Sequence, residues 1–384
     1  MERASSPVEE RVTPLELFFD LVFVFAITQV TTLLSDDPTA GGMLRGMLVL
    51  GALWWAWAAY AWLTNTLNPE EGAVRLAVFA AMGGMLVVAL AVPEAFGDHG
   101  VLFGAAYLIV RALHIALYAL GTRGDRDLLG AVLRMTPTSI ISGVLLVAAG
   151  FLDDEAQIAL WATALAIDYL GVLVGRGSGW VVAPRHFAER HGLIVIIAIG
   201  ESIVAVGVGA AGLTLGPGVV TAALLGVAVA AALWWLYFDW WTIVAENRLA
   251  EASGTSQTTL ARDLYSYLHL PLVAGIVLFA LGMKKTLGDV DEPLKTVPAA
   301  ALCGGLALYL VAYSALRFRL DRRISRGRMA AAVVLIALLP AARELPALGA
   351  LVAVTAVCVA LIAYEAINYR EQRAQLRNVR TAQA

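Results

Sequence analysis

The chain has 384 residues, of which 60% are hydrophobic and 15% charged, with a formal net charge of −3 and a mean hydropathy of +0.77. Soluble domains carry about 45–50% apolar and about 25% charged residues, so this composition excludes an ordinary soluble enzyme, a disordered chain and a disulfide scaffold. The apolar residues fall in runs of about 20, enough for a helix to cross ~30 Å of hydrocarbon, and the dyad alternation of a membrane β-barrel is missing. The expected fold class is an all-α polytopic membrane protein.

Twelve spans are expected, over residues 14–35, 43–66, 72–96, 100–121, 130–150, 155–175, 190–213, 218–246, 260–283, 296–318, 328–342 and 346–368. The first opens on Thr13-Pro14-Leu15-Glu16, a capping box with proline at the first helical position. Glu16 is expected to cap the helix there, and it is also a candidate ion- or substrate-binding group. Asp20 lies one turn deeper on the same face, beyond the reach of a cap, and is a candidate binding group. The presence of these two acids also argues against a cleavable signal peptide. The second span carries Trp54-Trp55 at mid-depth, and the eighth repeats the pair as Trp234-Trp235. These four indoles are candidate cavity walls, because their N–H groups need partners in hydrocarbon. The fourth span holds Arg111, the one base at mid-depth, with His114 three residues further along the same face; both are candidate ion- or substrate-binding groups. An arginine so deep needs a counter-ion. Depth favours Asp20 as that partner, with Asp168 of the sixth span as the alternative.

The seventh span places Glu201 about 16 Å along the helix from Arg190, flanked by Gly200 and Ser202; it too is a candidate binding group. In the ninth, His269 precedes Pro271, where a kink frees a carbonyl; a histidine at such a break either relays protons or is hydrogen-bonded in place. Asp239 and Glu365 are expected near the inner interface. The loop run His186-Phe187-Ala188-Glu189-Arg190-His191 matches no zinc spacing. Gly207 and Gly209 are expected at close helix contacts. Cys303 and Cys358 lie inside apolar runs and suggest no disulfide or metal framework.

With the N-terminus inside, inner segments hold 21 of the 27 Lys and Arg residues and outer segments five, so both termini are expected in the cytoplasm. A repeat is also expected. Ala52-Leu53-Trp54-Trp55 recurs as Ala232-Leu233-Trp234-Trp235, Glu10-Arg11 matches Glu189-Arg190, Arg134-Met135 matches Arg328-Met329, and Asp20 falls one position from Glu201 at that offset. The expected division is a cytoplasmic segment (1–13), a six-helix half (14–175), a cytoplasmic loop (176–189), a second six-helix half (190–368) and a cytoplasmic tail (369–384). Asp20 and Glu201 would then occupy equivalent places, and parallel repeats of this kind occur in transporters.

Arg11-Val12-Thr13-Pro14-Leu15-Glu16-Leu17-Phe18-Phe19-Asp20 in the first span, with Glu189-Arg190-His191-Gly192 and Gly200-Glu201-Ser202-Ile203 in the seventh, resembles the bacterial low temperature requirement protein A family over nearly the whole chain. The resemblance implies a polytopic bacterial inner-membrane protein, of a family named for a cold-growth phenotype. Phe18-Phe19-Asp20 also resembles the Phe-Ser-Asp signature of endolysosomal-type potassium channels, with Phe in place of Ser. The embedded acids and the repeat point to a proton- or ion-coupled secondary transporter. A cation channel using the Phe-Phe-Asp motif and a non-transporting membrane scaffold are the alternatives. No enzymatic motif is present. The expected partners are the lipid bilayer and a small solute or ion, with no nucleic acid, cofactor or metal.

Overall fold

A computed structural model describes residues 11–122, 124–174 and 180–370, with Val174 described by its backbone alone. Arg3, Glu10, Arg123, Arg176, Arg373, Arg377 and Arg380, which enter the charge tally or the repeat, lie outside the described residues. Among the described residues the regular elements are helical. They form two compact units.

The first unit holds α1 (Pro14–Asp36) up to Leu33, α2 (Ala40–Thr64) from Gly41, α3 (Gly72–Ala91), α4 (Gly100–Gly121), α5 (Arg126–Ala149), α6 (Asp154–Val174) and the start of α7 (Pro184–Ala210) as far as Arg190. Residues 249–262 also belong to it; they include the end of α9 (Trp241–Glu251) and α10 (Gly254–Ala261). Helix α1 starts as expected. Thr13 N donates to Glu16 Oε2 at 2.9 Å, and Glu16 N donates to Thr13 Oγ1 at 3.3 Å, which satisfies two backbone donors at the helix start. Helices α3, α4, α5 and α6 pack in chain order. Glycine sets the α4–α5 distance, because a Cβ on Gly104 would stand 2.5 Å from the backbone nitrogen of Val147. Helix α2 is the most enclosed element of the unit: Trp54, Trp55, Trp57 and Tyr60 are all buried.

The second unit holds the rest of α7, α8 (Pro217–Phe238), most of α9, α11 (His269–Gly288), α12 (Thr296–Asp321), α13 (Arg326–Ala337), α14 (Leu339–Ala342) and α15 (Ala347–Asn368). A π-helical turn (Arg262–Tyr267) joins α10 to α11. Helices α11 and α12 cross at Gly275 and Gly305, where a Cβ on either would press against the other's carbonyl oxygen at 2.6 or 2.8 Å. Gly209 faces Leu287, but a Cβ on Gly207 or Gly200 would meet nothing within 4 Å, so neither of those two is a close contact.

Eleven helices among the described residues are long and apolar enough to cross a membrane. The segment expected as the eleventh of twelve spans is interrupted. Leu338 separates the 12-residue α13, about 18 Å long, from the single turn of α14 around Pro340.

Candidate functional site

The described residues bury polar side chains in two clusters of the first unit. In the first cluster, Glu16 and Asp20 lie one turn apart on α1, and His186 and Arg190 lie one turn apart on α7. Both pairs therefore present one helix face. Arg190 Nη1 donates to Asp20 Oδ2 at 2.8 Å and to the Glu16 carbonyl at 3.0 Å, and its Nε stands 3.6 Å from Glu16 Oε1. His186 Nε2 is 3.0 Å from Glu16 Oε2. From α2, Trp57 Nε1 donates to Asp20 Oδ1 at 2.9 Å, and the Arg190 guanidinium lies 5.7 Å from the indole centroid. All five side chains are at most 2% exposed. Two carboxylates thus share one guanidinium, and the His186 ring bonds the second oxygen of Glu16.

The second cluster is built from α4, α5 and α6. Arg111 Nη2 donates to Ser139 Oγ at 2.6 Å and to Asp168 Oδ1 at 3.0 Å, and Ser139 Oγ donates to the same carboxylate oxygen at 3.0 Å. Arg111 is therefore held by Asp168. The expectation that Asp20 would hold it is corrected, because Asp20 already has both oxygens bonded. Depth along the membrane normal ranks possible partners but leaves their lateral position open. Arg111 reaches Asp168 because α5 packs against both α4 and α6. His114, one turn from Arg111, sits with its ring 5.4 Å from Tyr60 and 5.3 Å from Tyr118.

In the second unit, His269 is buried and bonded at both nitrogens. Nδ1 lies 2.8 Å from the Leu264 carbonyl and Nε2 lies 2.7 Å from the Tyr237 hydroxyl. The carbonyl can only accept, so Nδ1 carries the proton and Tyr237 donates to Nε2. The π turn leaves that carbonyl free of the usual i→i−4 bond and places it opposite the ring. Tyr265 stacks on His269 at 5.1 Å, and the His191 ring lies 5.6 Å from it. Glu365 is paired rather than hydrated. Arg328 clamps it through Nε at 2.6 Å and Nη2 at 2.9 Å, with the guanidinium 3.4 Å over the Tyr313 ring. Glu201 and Ser202 are buried on α7.

The tryptophan pairs part company. Trp55 stacks on Tyr169 at 4.0 Å, and Trp54 packs 5.2 Å from Trp57, both inside the first unit. Trp234 and Trp235 are 45% and 38% exposed, so they face outward rather than wall an enclosed cavity.

Sequence reasoning did not single out His186, Arg190, Trp57, Ser139, Tyr107 or Arg328. For the first two a signal existed. Pro184 suits the first turn of a helix, and starting α7 there puts His186 and Arg190 at i and i+4. Beginning the span at residue 190 left His186 in a loop and Arg190 at the helix end, so the pair was not recognised.

A family model described as bacterial low temperature requirement A protein matches residues 11–363. An uncharacterized protein of Rhizobium meliloti (strain 1021) is 35% identical over 309 residues, which covers 77% of this chain and 74% of that one. No solved structure matches the chain.

Proposed function

Because the chain belongs to the bacterial low temperature requirement A family, we propose that it is a proton- or ion-coupled secondary transporter of the inner membrane. In this reading it has two parallel six-helix halves, α13 and α14 form the short eleventh span, and both termini lie in the cytoplasm. One observation carries the reading: Asp20, embedded in a membrane helix, is bonded to Arg190 at 2.8 Å, while Glu16 one turn away is held by His186 and stands 3.6 Å from the same guanidinium. Two embedded acids on one helix face, against one arginine and one histidine, make a place where a proton is taken up and released. When Asp20 takes a proton its hold on Arg190 weakens, and a conformation with the arginine released gains population.

The repeat has support inside each unit. Tyr60 of α2 donates to the Val110 carbonyl of α4 at 3.0 Å, and Tyr309 of α12 donates to the Leu233 carbonyl of α8 at 2.7 Å. Under the duplication, α2 corresponds to α8 and α4 to α12, so the same two helices are tied in both halves. A channel that uses the Phe-Phe-Asp motif is disfavoured because Arg190 and Trp57 occupy both oxygens of Asp20, which leaves that carboxylate no free oxygen for a passing cation.

The test is flux in proteoliposomes, with pyranine inside as the proton reporter and formate, acetate, nitrate, sodium and potassium offered in turn. Saturable uptake of one of these with proton movement is expected, and Asp20→Asn should slow that uptake while the protein stays folded. Non-saturating ohmic current would establish the channel. No flux from well-folded protein with any of the five would sink the reading. Reporter fusions after Asp36 and Asp153 should read outside, and after Glu70 and Arg322 inside; a reversed pair would break the topology.

A further inference from the structure

The Arg111 cluster is less complete than its ion pair suggests. Tyr107 and Arg111 lie one turn apart on α4, Ser139 and Ser142 lie one turn apart on α5, and Asp168 projects from α6; all are buried. Tyr107 lies within the fields of both Arg111 and Asp168. Arg111 commits its two Nη2 hydrogens to Ser139 and Asp168. The Nε and both Nη1 hydrogens, three of the five a guanidinium carries, have no partner among the described residues, and neither do the Tyr107 hydroxyl, Ser142 Oγ or Asp168 Oδ2. Buried polar atoms in folded proteins are hydrogen-bonded. A group of them left unanswered by the protein marks a place where something else supplies the partners.

The balance of donors says what fits. Three guanidinium N–H groups that can only donate, and two hydroxyls that can donate or accept, are uncommitted against one carboxylate oxygen, so the site calls for an acceptor and the guanidinium repels a metal cation. The planar guanidinium edge matches a planar anion. Charge adds a condition: Arg111 and Asp168 cancel, and a bare anion would bring uncompensated negative charge into a low-dielectric site. A proton on Asp168 removes that cost and frees the guanidinium in one step.

We propose that Tyr107, Arg111, Ser139 and Ser142 bind a small planar monoanion, a short carboxylate or nitrate, which replaces Asp168 as the counter-ion of Arg111 while Asp168 takes up one proton. The proton comes from the medium and leaves with the anion, so the site's charge is the same loaded and empty. As a transport site it rests on the transporter reading above and names the substrate class; as a binding site it stands alone. The charged or titratable groups facing Asp168 are Arg111 and Tyr107 from α4, with Ser139 from α5. Tyr60 and His114 complete the titratable set around Arg111.

The experiment is binding of formate, acetate and nitrate, each alone, to the full chain in lipid nanodiscs by calorimetry at pH 5.5, 6.5 and 7.5, with folding checked by thermal midpoint. At least one anion is expected to bind, tighter by up to tenfold per unit fall in pH, as reciprocal coupling of one proton to one anion requires. Arg111→Gln should lose binding. Asp168→Asn should bind without pH dependence, which reads out the proposal even if the arginine variant fails to fold. His114→Gln should keep the pH dependence. Binding of none of the three anions, wild-type binding independent of pH, or pH dependence lost in His114→Gln but kept in Asp168→Asn would overturn the proposal. Binding in nanodiscs without flux in liposomes would sink only the transporter reading, and flux of these anions surviving in Arg111→Gln would sink only this site.

Discussion

Two buried arginine–carboxylate pairs, one in each unit, differ in how fully they are answered. Arg328 meets Glu365 through two parallel hydrogen bonds and lies flat on Tyr313. Both carboxylate oxygens are bonded and the guanidinium face is covered, which leaves Nη1 as its one nitrogen without a hydrogen-bond partner among the described residues. Arg111 meets Asp168 through one nitrogen and one oxygen, shared with a serine. The same chemistry makes a brace in the first case and an unfinished coordination shell in the second. Burial alone does not mark a functional ion pair; the number of uncommitted polar atoms around it separates a tie between helices from a site that can take a ligand.

The sharpest break of that comparison is Arg328→Ala. It strands Glu365 beside α13, and breaking a buried pair from one side typically costs ~3–5 kcal/mol. The monodisperse yield in detergent and the thermal midpoint should both fall, and Arg328→Met with Glu365→Leu should recover most of the loss. Arg111→Gln should cost less, about 1–3 kcal/mol, because Ser139 still bonds Asp168 and Asp168 can take a proton. A loss equal to that of Arg328→Ala, measured by the same midpoint, would make the two pairs equivalent. Ser139→Ala removes only the bridge and should lower stability by about 1 kcal/mol. A midpoint unchanged from wild type would show that the serine does not orient the pair. Trp234→Ala should change stability by no more than about 0.5 kcal/mol in the same assay, as outward-facing substitutions do, and a larger loss would place that indole inside a contact surface.

Legibility in the sequence followed the range of the interaction. The capping box at Thr13 and Glu16 was readable because its partners are three residues apart. The break at His269 was readable from Pro271, whereas the partners of its ring, the Leu264 carbonyl and the Tyr237 hydroxyl, were not. The partner of Arg111 was not, since Asp20 and Asp168 are both acids at plausible depth and lie 91 and 57 positions away. Glu365 looked like an interfacial acid until α13 brought Arg328 against it.

The sequence by itself determined the class of molecule, the family, most of the spans and the list of charges that hydrocarbon would penalise. Those follow from composition and local pattern, because a bilayer demands about 20 apolar residues per crossing wherever the helix ends up. Tertiary structure alone decided which charges meet. Glu16, Asp20, His186 and Arg190 converge, and Arg111 turns to Asp168 through Ser139. A helix's sequence states its depth and its faces, whereas its lateral neighbours are chosen by packing, at close approaches such as Gly104 against Val147 and Gly275 against Gly305.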